Sequence, residues 1–156
     1  MPRIAAGLLM YRQLNGAVEV LLAHPGGPYF AKKDDGAWTV PKGEPDPGED
    51  DLLTTARREF QEETGVVPTA DRYLPLGSIT QKGGKVVHAW ALEGDCDQGQ
   101  CHSNLFSMEW PPKSGKLQEF PEMDRAEWFP LAVARVKIKA SQVPLLERLE
   151  EMVRTA

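Results

Sequence analysis

Three glutamates, Glu59, Glu62 and Glu63, stand at i, i+3 and i+4 in the stretch Arg58-Glu59-Phe60-Gln61-Glu62-Glu63-Thr64-Gly65. On a helix those positions are neighbours. At about 6 Å and an effective dielectric near 20, each like-charged pair costs roughly 3 kcal/mol before water and salt reduce it. Arg58, one turn before Glu62, relieves part of the repulsion, but one cation does not balance three carboxylates. Glu63 follows Ala56 by seven residues, so helical projection puts it at the edge of an apolar stripe. A carboxylate there is partly desolvated and needs a partner. All three also fall at the helix C-terminus, where the backbone dipole opposes negative charge. Three local rules broken together mark a functional cluster rather than a solvated face. Hard oxygen ligands at this spacing suit Mg²⁺ or Mn²⁺. The wider stretch 43–63 holds eight of the chain's 23 acidic residues.

The elements that must position these side chains follow from local signals. Leu53, Ala56 and Phe60 form one stripe of a helix over 51–64, with Asp50 or Asp51 as its N-cap and Gly65 as its left-handed stop. Residues 3–11 and 17–23 are apolar runs around Asn15-Gly16, a strong hairpin signal. Ala37–Val40 reads as a short strand stopped by Pro41. Strands are expected over 72–79 and 85–92, and at Leu105–Trp110. Residues 93–104 read as a loop, as do Pro111–Lys116 by their composition. Ala126–Phe129 reads as a strand, followed by a helix near 131–138. A last helix begins at Ser141, with Leu145, Leu146, Leu149 and Val153 on one face. Strands, a central helix, more strands and C-terminal helices predict α/β layers around a mixed sheet. The 156 residues contain no repeat and no linker, which predicts one domain over 1–156.

Residues 43–66 resemble the signature of the Nudix hydrolases, G-x5-E-x7-R-E-U-x-E-E-x-G-U with U a bulky apolar residue. Gly43 and Glu49 match the first half, and Arg58 to Val66 match the second half completely. One departure stands out: eight residues, not seven, separate Glu49 from Arg58. An extra residue inside the helix would rotate everything after it by about 100°. It is therefore placed at the loop–helix junction near Asp50-Asp51, which puts the role of Glu49 in question and offers Asp50 as a partial substitute. The flanking segments Ala-Lys-Lys-Asp-Asp-Gly-Ala-Trp and Pro-Lys-Gly-Glu are similar to a bacterial subgroup described as nucleoside-triphosphate pyrophosphohydrolases.

The resemblance implies a Nudix-type α/β/α sandwich with a central mixed β-sheet. It also implies Mg²⁺- or Mn²⁺-dependent cleavage of a phosphoanhydride, in a nucleoside triphosphate or dinucleoside polyphosphate. By motif position Glu59, Glu62 and Glu63 would be metal ligands and Gly43 would offer its carbonyl. One of these carboxylates, or a later Glu, would activate the water. Arg58 would hold the glutamates by ion pairing. Lys42 would reach a phosphate or lie exposed. Glu119, after the Lys113–Lys116 loop, is a candidate functional acid or else a surface residue, and Glu122 lies close by. The lysines of that loop are candidates to close over phosphates. Trp110 or Phe30 would stack on a base or pack in the core. His24 and His88 read as structural.

A net charge of −5 argues against binding nucleic acid through a basic face. It does not exclude phosphate substrates, because a bound cation reverses the local sign. No apolar run approaches the length of a membrane span, and the N-terminal stretch reads as a strand rather than a signal peptide. Cys96 and Cys101 fit no zinc spacing. They read as two reduced thiols, with a disulfide as the alternative, and a cytoplasmic setting is expected. Two other readings compete: a non-catalytic Nudix-like nucleotide-binding module, and a structural Ca²⁺ site, whose loop order here does not fit an EF-hand. Oligomeric state is not encoded in any feature of the sequence.

Overall fold

The structure is a computed structural model that describes residues 3–155. Strand β1 (Ile4–Leu14) and strand β2 (Ala17–Pro25) form the expected hairpin. Asn15 and Gly16 both take positive φ, 53° and 80°, as a tight turn matched to strand twist requires. Strand β3 is only Lys42–Gly43, antiparallel to Ala6 and Gly7. Helix α1 (Leu52–Thr64) follows. Strands β4 (Leu74–Thr80) and β5 (Val86–Glu93) pair antiparallel. Strands β6 (Leu105–Glu109) and β7 (Leu117–Pro121) form a separate two-stranded hairpin. Strand β8 (Met123–Pro130), helix α2 (Leu131–Lys137) and helix α3 (Val143–Thr155) complete the chain.

The central sheet runs β4-β5-β1-β2-β8, with β3 also on β1. β1 and β5 are parallel and the other pairs antiparallel, so the sheet is mixed as expected. Residues 5–10 of β1 are buried on both faces, which requires a layer on each side. Alternation supplies them. Ala6, Leu8 and Met10 pack with Leu21, Ala56 and Phe60 under α1. Ala5 and Leu9 pack with Leu22, Trp38, Leu145 and Leu149 under the C-terminal helices. The result is an α/β/α sandwich.

Three expectations need correction. Ala37–Val40 is not a strand: it makes single bridges, Trp38 to Ile138 and Thr39 to Ala23. The Val40 N–H is taken instead by the side-chain oxygen of Gln142 at 2.9 Å, and regular pairing resumes only after Pro41. Leu117–Pro121 is a strand where no element was expected, because Leu-Gln-Glu-Phe-Pro carries almost no apolar alternation. The last helix begins at Val143, entered through a 3₁₀ turn at Ala140–Gln142. Pro144 then falls in the first turn, where its missing N–H costs nothing. Cys96 and Cys101 are free thiols, and the Cys101 thiol donates to the Asp97 carbonyl at 3.9 Å. Among the described residues no helix is long and apolar enough to cross a membrane.

Candidate active site at the C-terminal half of α1

Helix α1 starts where Asp51 accepts the Leu53 N–H at 3.0 Å. The extra residue of the motif therefore lies outside the helix, and the register from Arg58 onward is that of an unbroken helix. Gly65 ends it at φ 76°, its N–H bonded to the Gln61 carbonyl at 2.7 Å. The orphan carbonyls of the last turn find partners in the segment before β6. His102 N–H donates to Thr64 O and Asn104 N–H to Glu62 O, both at 3.0 Å. The base of the β6–β7 hairpin is thereby tied to the end of the helix that carries the glutamates.

Arg58 is the hub of the cluster. Its Nη1 lies 2.8 Å from Glu59 and 3.0 Å from Glu62, and its Nε and Nη2 reach the two Glu49 oxygens at 2.9 Å each. Nη2 also donates to the Glu44 carbonyl at 3.0 Å. Glu49 thus keeps its place despite the extra residue. It also accepts from Thr55 Oγ1 at 2.6 Å, and together these bonds hold its carboxyl down to about 2. Asp50 makes no comparable contact among those resolved around Arg58.

Glu59 and Glu63 are handled differently. The Glu59 carboxylate lies directly on Gly43, where a Cβ would overlap it, so only glycine lets the side chain rest against the β3 backbone. Burial pushes Glu59 up, against the pull of Arg58. Glu63 is 6% exposed and accepts the Lys42 backbone N–H at 3.2 Å. Burial, reinforced by the charge of Glu59, pushes it up to about 8. Lys42 is half-buried, and burial lowers its ammonium to about 8, with the charges of Lys139 and Lys85 adding to the effect.

Of the two acids beside the hairpin, Glu122 rather than Glu119 lies near the helix carboxylates. Glu119 sits exposed on β7, opposite Ser107, two pairs up the hairpin from its base. Glu122 lies at that base, its N–H on Asn104 O at 2.8 Å. It is exposed, yet partial desolvation of its carboxyl and the charge of Glu62 raise it, and its own charge acts on Glu59 and Glu63. The Lys113–Lys116 turn stands a full strand away from the carboxylates. Neither Trp110 nor Phe30 joins the core: one is half-buried at the hairpin tip and the other 36% exposed. His24 is structural, buried between Asp124 at 2.8 Å and the Lys33 carbonyl at 2.6 Å.

The donor set is all oxygen, one carboxylate is buried without a cationic hydrogen-bond partner, and glycine leaves a cradle beside it. These features fit a hard divalent cation. Arg58 keeps Glu59 and Glu62 on its own nitrogen, and among the described residues no three Asp, Glu, His or Cys side chains converge as a ready-made ligand set. A cation held there would compete with the guanidinium for those carboxylates. Beside them opens a cavity of about 400 Å³ lined by Arg58, Gln61, Glu62, Gly65, His102 and Asn104. A larger one of about 700 Å³, against Tyr11, Asp71, Arg72 and Glu93, includes no residue of α1.

Gln142 was not anticipated. It is fully buried, and besides Val40 it donates to Thr39 Oγ1 and to Gln81 Oε1, both at 2.9 Å. It fixes the approach of the chain to Lys42 and Gly43. A glutamine in a polar turn gives no sequence signal for such a role.

Comparison with known proteins places these residues in context. The family model of the NUDIX domain matches residues 1–149. An asymmetrical bis(5'-nucleosyl)-tetraphosphatase of Caenorhabditis elegans is 44% identical over 62 residues, 40% of either chain. The Rattus norvegicus protein of the same name is 36% identical over 102 residues, 57% of this chain and 63% of that one. The matched stretches therefore span less than two thirds of these relatives. The crystal structure of a C. elegans Ap4A hydrolase binary complex superposes with a TM-score of 0.67 at 25% identity, covering 97% of this chain and 99% of that one.

Proposed function

Because the chain belongs to the NUDIX domain family, we propose that it is a metal-dependent pyrophosphohydrolase that cleaves a phosphoanhydride in a dinucleoside polyphosphate or nucleoside triphosphate. The observation that carries this reading is the buried Glu63 beside Glu59 and Glu62, a concentration of negative charge that a single guanidinium does not neutralise. The names of the C. elegans and rat relatives support the dinucleoside polyphosphate as the first substrate to try.

Glu59, Glu62 and Glu63, with the Gly43 carbonyl, would hold Mg²⁺ or Mn²⁺. Such a cation supplies an acidified water and neutralises phosphate charge. The protein supplies the rest. Arg58 and Glu49 fix the helix face from which the carboxylates project. The Lys42 N–H orients the Glu63 carboxyl, and its ammonium sits where it can meet a phosphate oxygen. Glu122, raised by desolvation and by Glu62, would serve in place of the candidate Glu119: a carboxyl whose affinity for a proton suits it to accept one from the attacking water.

The test is a substrate screen with Mg²⁺ and with Mn²⁺, identifying products, on the parent, Glu122→Gln and Glu119→Gln. Turnover that falls at least 100-fold in Glu122→Gln but less than threefold in Glu119→Gln supports the assignment. Binding of nucleotides with no turnover under either metal would instead make the chain a nucleotide-sensing module.

A further inference from the structure

The β6–β7 hairpin stands apart from the central sheet and presents one aromatic face. Phe106, Met108 and Trp110 alternate onto that face of the strand, and Phe120 pairs directly across from Phe106. The loop after β2 lies along it. Gly26 N–H donates to Glu122 O at 2.9 Å. A Cβ on Gly26 would overlap the Pro121 carbonyl, and one on Gly27 would meet the Phe106 ring at 3.0 Å. Two glycines thus let the loop lie flat against the hairpin. At the far end Tyr29 meets Trp110 edge to face, with ring centroids 5.3 Å apart.

These contacts define a packed row of residues with two ends. One end is Glu122, against the acidic cluster. The other is the Tyr29–Trp110 pair, five strand residues further on, or about 17 Å at the usual rise. Tyr29 is 59% exposed, so one ring of the pair is open to solvent. Lys113 and Lys116 lie on the turn immediately beyond, and the Trp110 N–H is bonded to the Lys116 carbonyl at 3.0 Å. In an acidic protein this tip combines aromatic faces with two cations. That combination suits a planar base at the end of a polyanion.

We propose that the Tyr29–Trp110 pair is a nucleobase-binding site, which stacks the base of a dinucleoside polyphosphate that lies far from the cleaved bond. The proposal rests on the hydrolase reading above and sharpens it, because a strand length separates this site from the carboxylates. Only a substrate with several phosphates between the cleaved bond and the base spans that distance. In this proposal Lys113 and Lys116, the lysines read in the sequence as candidates to close over phosphates, attract the polyphosphate to the tip.

The experiment compares diadenosine tetraphosphate with adenosine tetraphosphate, equal in phosphates but lacking the second base. In Trp110→Ala and in Tyr29→Ala the KM for the dinucleotide should rise about 5- to 100-fold more than the KM for the mononucleotide, the range that losing one base stack gives. Trp110→Phe should recover most of the loss. In parallel, diadenosine tetraphosphate titrated in chelator should quench tryptophan fluorescence in the parent, and the quench should vanish in Trp110→Phe. Melting curves check that each variant remains folded. Equal KM changes for both substrates, or a quench that survives in Trp110→Phe, would overturn the site. If the parent hydrolyses neither compound, the dinucleoside polyphosphate reading falls, while the titration in chelator still decides the base site.

Discussion

Replacing Glu63 by Gln in the metal-free protein probes the cluster through stability alone. Burial and Glu59 push the Glu63 carboxyl up from its ordinary value of 4.5 to about 8. Between those values the folded chain holds a proton that the unfolded chain has released. The parent therefore loses stability as pH rises through that window, by about 1.4 kcal/mol per pH unit. Above about pH 8 both states are ionised and the loss stops growing. Glutamine has nearly the same shape, keeps an oxygen for the Lys42 N–H and does not titrate. Two pH units would give about 3 kcal/mol. The carboxyl is itself half ionised by pH 8, which reduces this, so the variant should gain about 2 kcal/mol on the parent between pH 6 and pH 8. Urea melts in EDTA at pH 6, 7 and 8 measure it. Adding Mn²⁺ at pH 8 should then stabilise the parent more than the variant, since only the parent retains that negative ligand. A gain independent of pH, or a variant less stable than the parent at pH 8, would refute the picture of a buried, repelled carboxyl.

Other outcomes follow from the same geometry. Glu49→Gln should cost about 1–2 kcal/mol at pH 7 by weakening two charged hydrogen bonds to Arg58. Its carboxyl is depressed to about 2, so the stabilisation is present above about pH 4.5 and declines as pH falls. Thermal melts should show the difference shrinking by pH 3. Gly43→Ala, whose methyl would displace the Glu59 carboxylate, should weaken Mn²⁺ binding in calorimetry by roughly tenfold or more, the size of one lost ligand interaction. Gln142→Leu should destabilise by about 2–4 kcal/mol in urea, because the Val40 N–H loses its buried acceptor.

How much of this was legible in the sequence depends on whether a signal was local. The i, i+3, i+4 glutamates, the Asp51 cap, Gly65 and the Asn15-Gly16 turn each state their geometry within a few residues, and the structure has them all in place. The extra residue before Arg58 was also readable, since a rigid helix leaves the loop as the only place to absorb it. What could not be read depended on distant partners. Val40 leaves strand pairing because a glutamine about one hundred residues later claims its N–H. Glu122 lies nearer the helix carboxylates than Glu119 because of where a hairpin is tied to a helix end, and neither sequence neighbourhood carries that knot. The β7 strand was missed because a hairpin standing off the sheet needs no buried face, hence no alternation.

The parallel pairing of β1 with β5 bears on the order in which the chain is made. Residues 4–11 reach their partners only at residues 86–93, roughly 80 positions later. At about 5–20 residues per second of synthesis, the most apolar strand of the protein waits some 4–16 s after emerging with that edge unpaired. The β1–β2 hairpin closes early, but it protects only the other edge. The protein's exposure to misassembly is therefore concentrated during its own translation, and slowing the ribosome between residues 25 and 85 should lengthen that interval without altering the finished molecule.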